Sequence, residues 1–183
     1  MTNDDHGDAL LALLNSTPVT DGVAEDLMAD PAYAAGLARR FGGEGTASEV
    51  HELTRARDGL QDVARTGTVG VELDQILHDV AQAPSPLTPD GLHWHLAGPA
   101  AALPAARAII AWSDLVTRRP GRLRPCGNPD CRRFLVDRSK GNTGRWCSMA
   151  TCGNRMKARR HYSRHHAAAE PEGRDRDEPR RTS

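Results

Sequence analysis

The chain is poor in aromatic residues, with three Trp, two Tyr and two Phe in 183 positions. A core built here must come from Leu, Ala, Val and Ile, which suits small packed helices. Apolar residues make up 38% of the chain, enough for one ordinary domain with a modest core plus a small appendage. Long hydrophobic runs are missing. Nothing approaches the ~18 consecutive apolar residues of a membrane span, and the N-terminal Met-Thr-Asn-Asp-Asp-His lacks the positive start and apolar run of a secretory signal. The expectation is a soluble, cytoplasmic protein that does not engage a membrane. Internal repeats are also lacking. No glycine-rich phosphate loop is evident: Gly42-Gly43-Glu44-Gly45 has no strand before it and no Lys-Ser/Thr after it, and reads as a flexible linker. No nucleophile–base pair stands out either, so an enzyme is not expected.

Acidic residues are scarce in one stretch and crowded in another. Net charge is zero, with 24 Lys+Arg against 24 Asp+Glu. From Met1 to Thr117 the balance is −11, from Arg118 to His166 it is +12, and from Ala167 to Ser183 it is −1. Only Asp130 and Asp137 oppose 14 cations in the middle stretch. An acidic body followed by a strongly basic head points to a polyanionic partner for the head. The same asymmetry also lets head and body attract each other.

Local signals outline a helical body. Leu10, Leu11, Leu13 and Leu14 form an apolar run that fits either a helix or a buried strand. Asp30-Pro31 is an N-cap with proline at the first helical position. The helix it opens carries Tyr33, Leu37 and Phe41 inward and stops at Gly42-Gly43. Thr46-x-x-Glu49 is a capping box, and Val50, Leu53, Leu60, Val63 and Ala64 keep helical spacing from there to Gly67. Leu73, Ile76, Leu77 and Val80 mark another amphipathic helix. Pro84, Pro86 and Pro89 then break the pattern. Leu92, Trp94 and Leu96 alternate with His93 and His95 after a Pro-Asp-Gly turn, which predicts a β-hairpin with Leu87 on the incoming arm. Ala108, Ile109, Trp112, Leu115 and Val116 predict a final helix of the body, expected to be its most buried, ending at Pro120-Gly121. The predicted class is mainly α with a small β-hairpin, an α+β arrangement. Expected domains are a helical one over 1–121, a small four-cysteine module over 122–166 and a disordered tail over 167–183.

Cysteine is confined to four positions within a span of 27: Cys126-x4-Cys131 and Cys147-x4-Cys152. In a reducing compartment such clusters are metal ligands more often than disulfides. Four thiolates close a tetrahedral Zn2+ shell of the structural type. Gly127-Asn128-Pro129-Asp130 supplies turn chemistry between the first pair, and Gly153 lets backbone approach and could free amides for bonds to sulfur. A stretch of ~40 residues with so little core would hardly fold without the metal. His161 and His165 follow at i, i+4 spacing. On a helix starting near Gly153 they share a face with Ala158 and Tyr162, so they read as residues that pack or hydrogen-bond against the body rather than as ligands.

The motif Cys-Gly-Asn-Pro-Asp-Cys, then Phe134-x-x-Asp137-Arg138-Ser139, then Arg145-Trp146-Cys147-Ser148-Met149-x-x-Cys152-Gly153-Asn154-Arg155-x-Lys157-Ala158-Arg159 resembles the CGNR zinc finger over roughly residues 122–165. The resemblance implies zinc on the same four cysteines. The acidic region before it is similar to the ABATE domain that usually precedes this finger, most clearly at Leu11-Ala12-Leu13-Leu14-Asn15-Ser16. Together they imply a bacterial transcription regulator, proposed to be stress-induced.

Zinc with four thiolates adds −2, leaving the module at roughly +10. Arg155, Lys157, Arg159, Arg160 and Arg164 lie on the helix after Cys152 and are the principal candidate contacts to duplex DNA, since a basic helix fits the major groove. Arg132, Arg133, Arg138, Lys140 and Arg145 lie between the cysteine pairs and are the second group. Asn142 and Asn154 read as turn-forming or sulfur-capping residues before base readers. Trp146 and Phe134 among cations leave single-stranded RNA open as a partner, and a zinc-based adaptor for an acidic protein is a further alternative. For the acidic body the options are a small-molecule effector site, a homodimer contact or a shield over the head.

Overall fold

The computed structural model describes residues 3–20 and 22–167, with side chains over 7–20 and 22–163. The tail expectation and the side chains of Arg164 and His165 lie outside these described residues. By packing, the chain divides into a larger unit, Met1–Cys147, and a smaller one, Ser148–Ser183.

In the larger unit five helices share one core: α1 (Asn3–Leu14), α2 (Pro31–Arg40), α3 (Ala47–Thr66), α4 (Val71–Leu77) and α5 (Leu103–Arg118). The leucine run of α1 is helical, burying Ala9, Leu10, Leu13 and Leu14 at the i, i+4 spacing of a single face. α2 opens as expected: the Asp30 carboxylate accepts the Ala32 amide at 2.9 Å and Pro31 follows. α3 opens with both halves of the Thr46–Glu49 capping box and closes on Gly67, whose φ of 76° places it in the left-handed region that favours glycine.

α3 is the central helix, packing on α1, α2, α4 and α5. It was α5 that the apolar pattern marked as most buried. Only the first half of α5 meets that expectation, through Pro104, Ala105, Ala106, Ala108 and Ile109, while Trp112 and Leu115 are half-buried. The solvent-shielded side of α3 also carries polar groups that are fully engaged. Arg57, 4% exposed, bridges Asp26 at 2.5 Å and Asp58 at 2.9 Å. Gln61 donates to the Leu14 carbonyl and the Thr17 hydroxyl, both at 2.9 Å. These bonds fasten the turn after α1 onto α3.

Residues 42–45 are not a flexible linker. The buried Glu49 carboxylate collects the amides of Glu44, Gly45 and Thr46 at 2.7–3.1 Å. Burial alone would raise its pKa, but these hydrogen bonds outweigh it and hold the group below its ordinary value. Arg107 closes the same loop from α5 by donating to the Phe41 carbonyl at 2.8 Å.

Strands occur among the described residues as antiparallel pairs: β1 (Val19–Thr20) with β2 (Val23–Ala24), β3 (Ala81–Pro84) with β4 (Trp94–Ala97), and β5 (Leu123–Pro125) with β6 (Phe134–Val136). The hairpin predicted around Leu92–Leu96 exists, but its incoming strand is Ala81–Pro84, with Pro84 opposite Trp94. Leu87 lies in the connection and is exposed, as are Leu92 and Trp94. The alternation there has no buried face behind it, which is why it misplaced the partner strand.

β5 and β6 pack with the helices of the larger unit. β6 lies against α1 and β5 against α3. Phe134, 1% exposed, joins the same core cluster as Leu13, Leu53 and Leu60. The smaller unit has a π-type turn, Met149–Gly153, running into α6 (Asn154–Ala167). No helix among the described residues is long and apolar enough to cross a membrane.

Candidate metal centre

Each cysteine is delivered by a distinct piece of backbone. Cys126 continues β5, its amide donating to the Arg133 carbonyl at 2.8 Å as the next rung of the β5–β6 ladder. Asn128, buried, folds the following turn. Its side-chain oxygen accepts the Asp130 amide at 3.3 Å and its carbonyl accepts the Cys131 amide at 2.9 Å. This is the Asx-type turn expected of Gly-Asn-Pro-Asp, and it returns Cys131 toward Cys126. Gly127 donates to the Arg145 carbonyl at 2.7 Å, drawing the approach to Cys147 alongside.

The segment between the pairs is organised by Asp137, a residue to which the sequence reading gave no role. Its carboxylate, 3% exposed, accepts the Ser139 amide at 2.8 Å, the Gly144 amide at 2.7 Å and the Arg124 guanidinium at 2.9 Å. The Ser139 hydroxyl and amide, the Gly144 amide and Arg124 hold its carboxyl down at about 2, against the opposing effect of burial. Arg124 also donates to the carbonyl of Asn142 at 3.1 Å and to its side-chain oxygen. Asn142 has a φ of 51°, so its role is the turn-forming one. Arg122 donates to the carbonyls of Asp137 at 3.0 Å and Ser139 at 2.5 Å. Two arginines are thus committed to shaping the loop. The only sequence sign of this was an isolated acid in a basic stretch.

The four sulfurs lie within 4.8 Å of one another. Cys131 and Cys147 sulfurs are 3.7 Å apart, far beyond a disulfide bond, and none of the four cysteines is part of a disulfide. Zinc bound at about 2.3 Å in a tetrahedron sets its sulfurs about 3.8 Å apart, which the Cys131–Cys147 separation matches, and the whole cluster is compact enough for one such ion. Cys126 and Cys152 are buried, with Cys131 and Cys147 half-buried. The Cys147 amide donates to Cys126 Sγ at 3.4 Å, the kind of bond that tempers thiolate charge. Gly153 does not play that part, since its amide goes to the Ser148 carbonyl at 3.0 Å. Cys126, Cys131, Cys147 and Cys152 form a candidate site for structural zinc with no open coordination position.

Arg132, Arg133, Arg138, Lys140 and Arg145 are all exposed. Two of them have partners on the protein: Arg138 pairs with Asp8 of α1 at 3.2 Å, and Arg145 lies over the Trp146 ring at 5.5 Å. On α6, Arg155, Lys157, Arg159 and Arg160 are exposed. So are Ala158, His161 and Tyr162, the last at 67%. Ala158, His161 and Tyr162 thus form no buried face. Met156 is the half-buried side chain among those described on it, and a helix with so few apolar residues has little to bury. Asn154 bonds locally, donating to the Ala150 carbonyl at 3.3 Å.

Comparison with known families matches residues 122–165 to the CGNR zinc finger. The match contains all four clustered cysteines, the Asp137 loop and most of α6. A search of curated proteins found no relative matching the chain.

Proposed function

We propose that this chain is a zinc-dependent DNA-binding protein of the transcription-regulator kind, its basic zinc module contacting duplex DNA. The supporting observation is the set of exposed cations around the cysteines in the sequence: five between the cysteine pairs and four on the described part of α6. A closed four-thiolate shell offers no open position for catalysis, which favours a binding role. Arginine supplies planar forks for phosphate oxygens and for guanine.

The test is selection of bound duplexes from random sequence by the zinc-loaded protein, with a zinc-stripped control, followed by salt titration of the selected site. With about 5 to 8 phosphates neutralised, log K falls against log salt with a slope of about −4 to −7. A slope near zero rejects the proposal. Arg159→Ala with Arg160→Ala weakens binding while leaving zinc in place. Competition by single-stranded RNA and by unrelated duplex separates an RNA-binding role and a protein-adaptor role from this one.

For the ABATE-like body we propose regulation of the head, by an effector, by dimerisation or by charge shielding in response to stress. The exposed Asp8–Arg138 pair favours shielding. Asp8→Asn then tightens DNA binding at low salt. No change in affinity removes that version.

A further inference from the structure

Six cations belong to the acidic body, and Arg65 is unlike its neighbours on α3. Arg57 is committed to Asp26 and Asp58, and Arg55 to Glu52 at 2.9 Å. The carboxylate paired with Arg65 is that of Asp62, at 4.0 Å and 80% exposed. Its guanidinium carbon lies over the Phe134 ring, 4.7 Å from the centroid. It donates from one terminal nitrogen to the Gln61 side chain and from the other to the Arg132 carbonyl, each at 3.4 Å. Ring and bonds together fix the fork on the residue that carries the next cation. The two charges feel each other: burial and then the Arg132 guanidinium push the Arg65 pKa down. A location in the last turn of α3 favours a cation through the helix dipole, but that does not explain placing it beside a like charge. An oxyanion between the two relieves the repulsion, and a guanidinium with five donors keeps several for it.

We propose that Arg65 and Arg132 form a phosphate-binding pair, through which the helical body itself holds the nucleic-acid backbone. This rests on the DNA-binding reading above and adds to it a contact outside the zinc finger match. The chemistry is that of a backbone phosphodiester, held by two forks, one stacked in place and one exposed.

The experiment is a salt series of fluorescence anisotropy titrations on a short labelled duplex, using the full zinc-loaded chain. Wild type, R65Q, R65K and R132Q are compared, with zinc content and thermal melting of each. R65Q is expected to flatten the log–log slope by about 0.9, the value of one phosphate contact, and R65K to restore it because charge is retained. R132Q flattens it by a similar amount with zinc content and melting unchanged. If R65Q does not fold, R65M, which keeps an apolar side chain against the Phe134 ring, carries the test and is expected to flatten the slope by the same amount. A steep wild-type slope that a folded R65Q or R65M leaves intact overturns the pair, whatever R132Q does, while the DNA-binding reading stands. A wild-type slope near zero overturns both.

Discussion

Asn15 and Phe134, 119 positions apart, exchange two hydrogen bonds: Asn15 Nδ2 donates to the Phe134 carbonyl at 3.2 Å and the Phe134 amide donates to Asn15 Oδ1 at 2.7 Å. The side-chain amide acts as one more strand residue on the outer edge of β6. Inside the same pairing, the Phe134 ring sits in the helical core and carries Arg65 on its face. The first cysteine pair is therefore built on a hairpin that shares the helices' core.

Asn15→Ala leaves the Phe134 amide and carbonyl without partners beneath the surface. A loss of about 1–3 kcal/mol is expected, read as a lower midpoint in urea unfolding with zinc still bound. An unchanged midpoint would show that water replaces the side chain without cost.

Gly144→Ala strikes the centre of the Asp137 loop. A Cβ there would stand 2.8 Å from Asp137 Oδ1 and 2.9 Å from its Cγ, atoms held by several hydrogen bonds. The crowding should cost about 1–3 kcal/mol and weaken zinc affinity in a competition with a chromogenic chelator. Zinc affinity equal to wild type would mean that the loop yields freely.

Stripping the metal should leave most of the helical circular dichroism intact. The cysteine region was expected to have too little core to fold alone, yet Phe134 and Leu135 are buried with the larger unit. Its loop is tied by Asp137, Arg122 and Arg124 rather than by sulfur alone. Cooperative loss of the whole helical signal on chelation would reverse this view.

Acid should separate the same two events. Protons compete with zinc for thiolates as soon as the pH falls. Asp137 resists longer. Its folded pKa is depressed, so its contribution is complete above the unfolded value of 3.8 and disappears only as the pH falls through about 2. Glu49 and Asp26, also held below their ordinary values, act in the same direction. Zinc release followed by a dye should precede helix loss followed by dichroism. A single shared midpoint would contradict it.

What could be read from sequence was whatever is closed within one or two turns. Asp30-Pro31, Thr46-x-x-Glu49, Gly67 and the Asn128 turn depend on neighbours up to three or four residues away, and all form as expected. The cysteine spacings likewise announce the metal cluster. The Asn15–Phe134 exchange has no local signature, because an Asn after a leucine run looks like an ordinary helix end. Asp137 was hidden for a different reason: most of its partners are backbone amides and an arginine 13 positions back. Period-two patterning at Leu92–Leu96 misplaced the incoming strand because exposed apolar side chains can alternate without a core to face.

The π-type turn over Met149–Gly153 carries Cys152 straight into α6, with only Gly153 between that ligand and Asn154. One residue of an α-helix advances the chain by about 100° around the axis. Arg155, Lys157, Arg159 and Arg160 therefore stand at fixed angular offsets from Cys152. Deleting Gly153 would turn all four together through about that angle as seen from the sulfur ligand, which makes the length of this one-residue step a property of the charged helix and of the metal ligand at once.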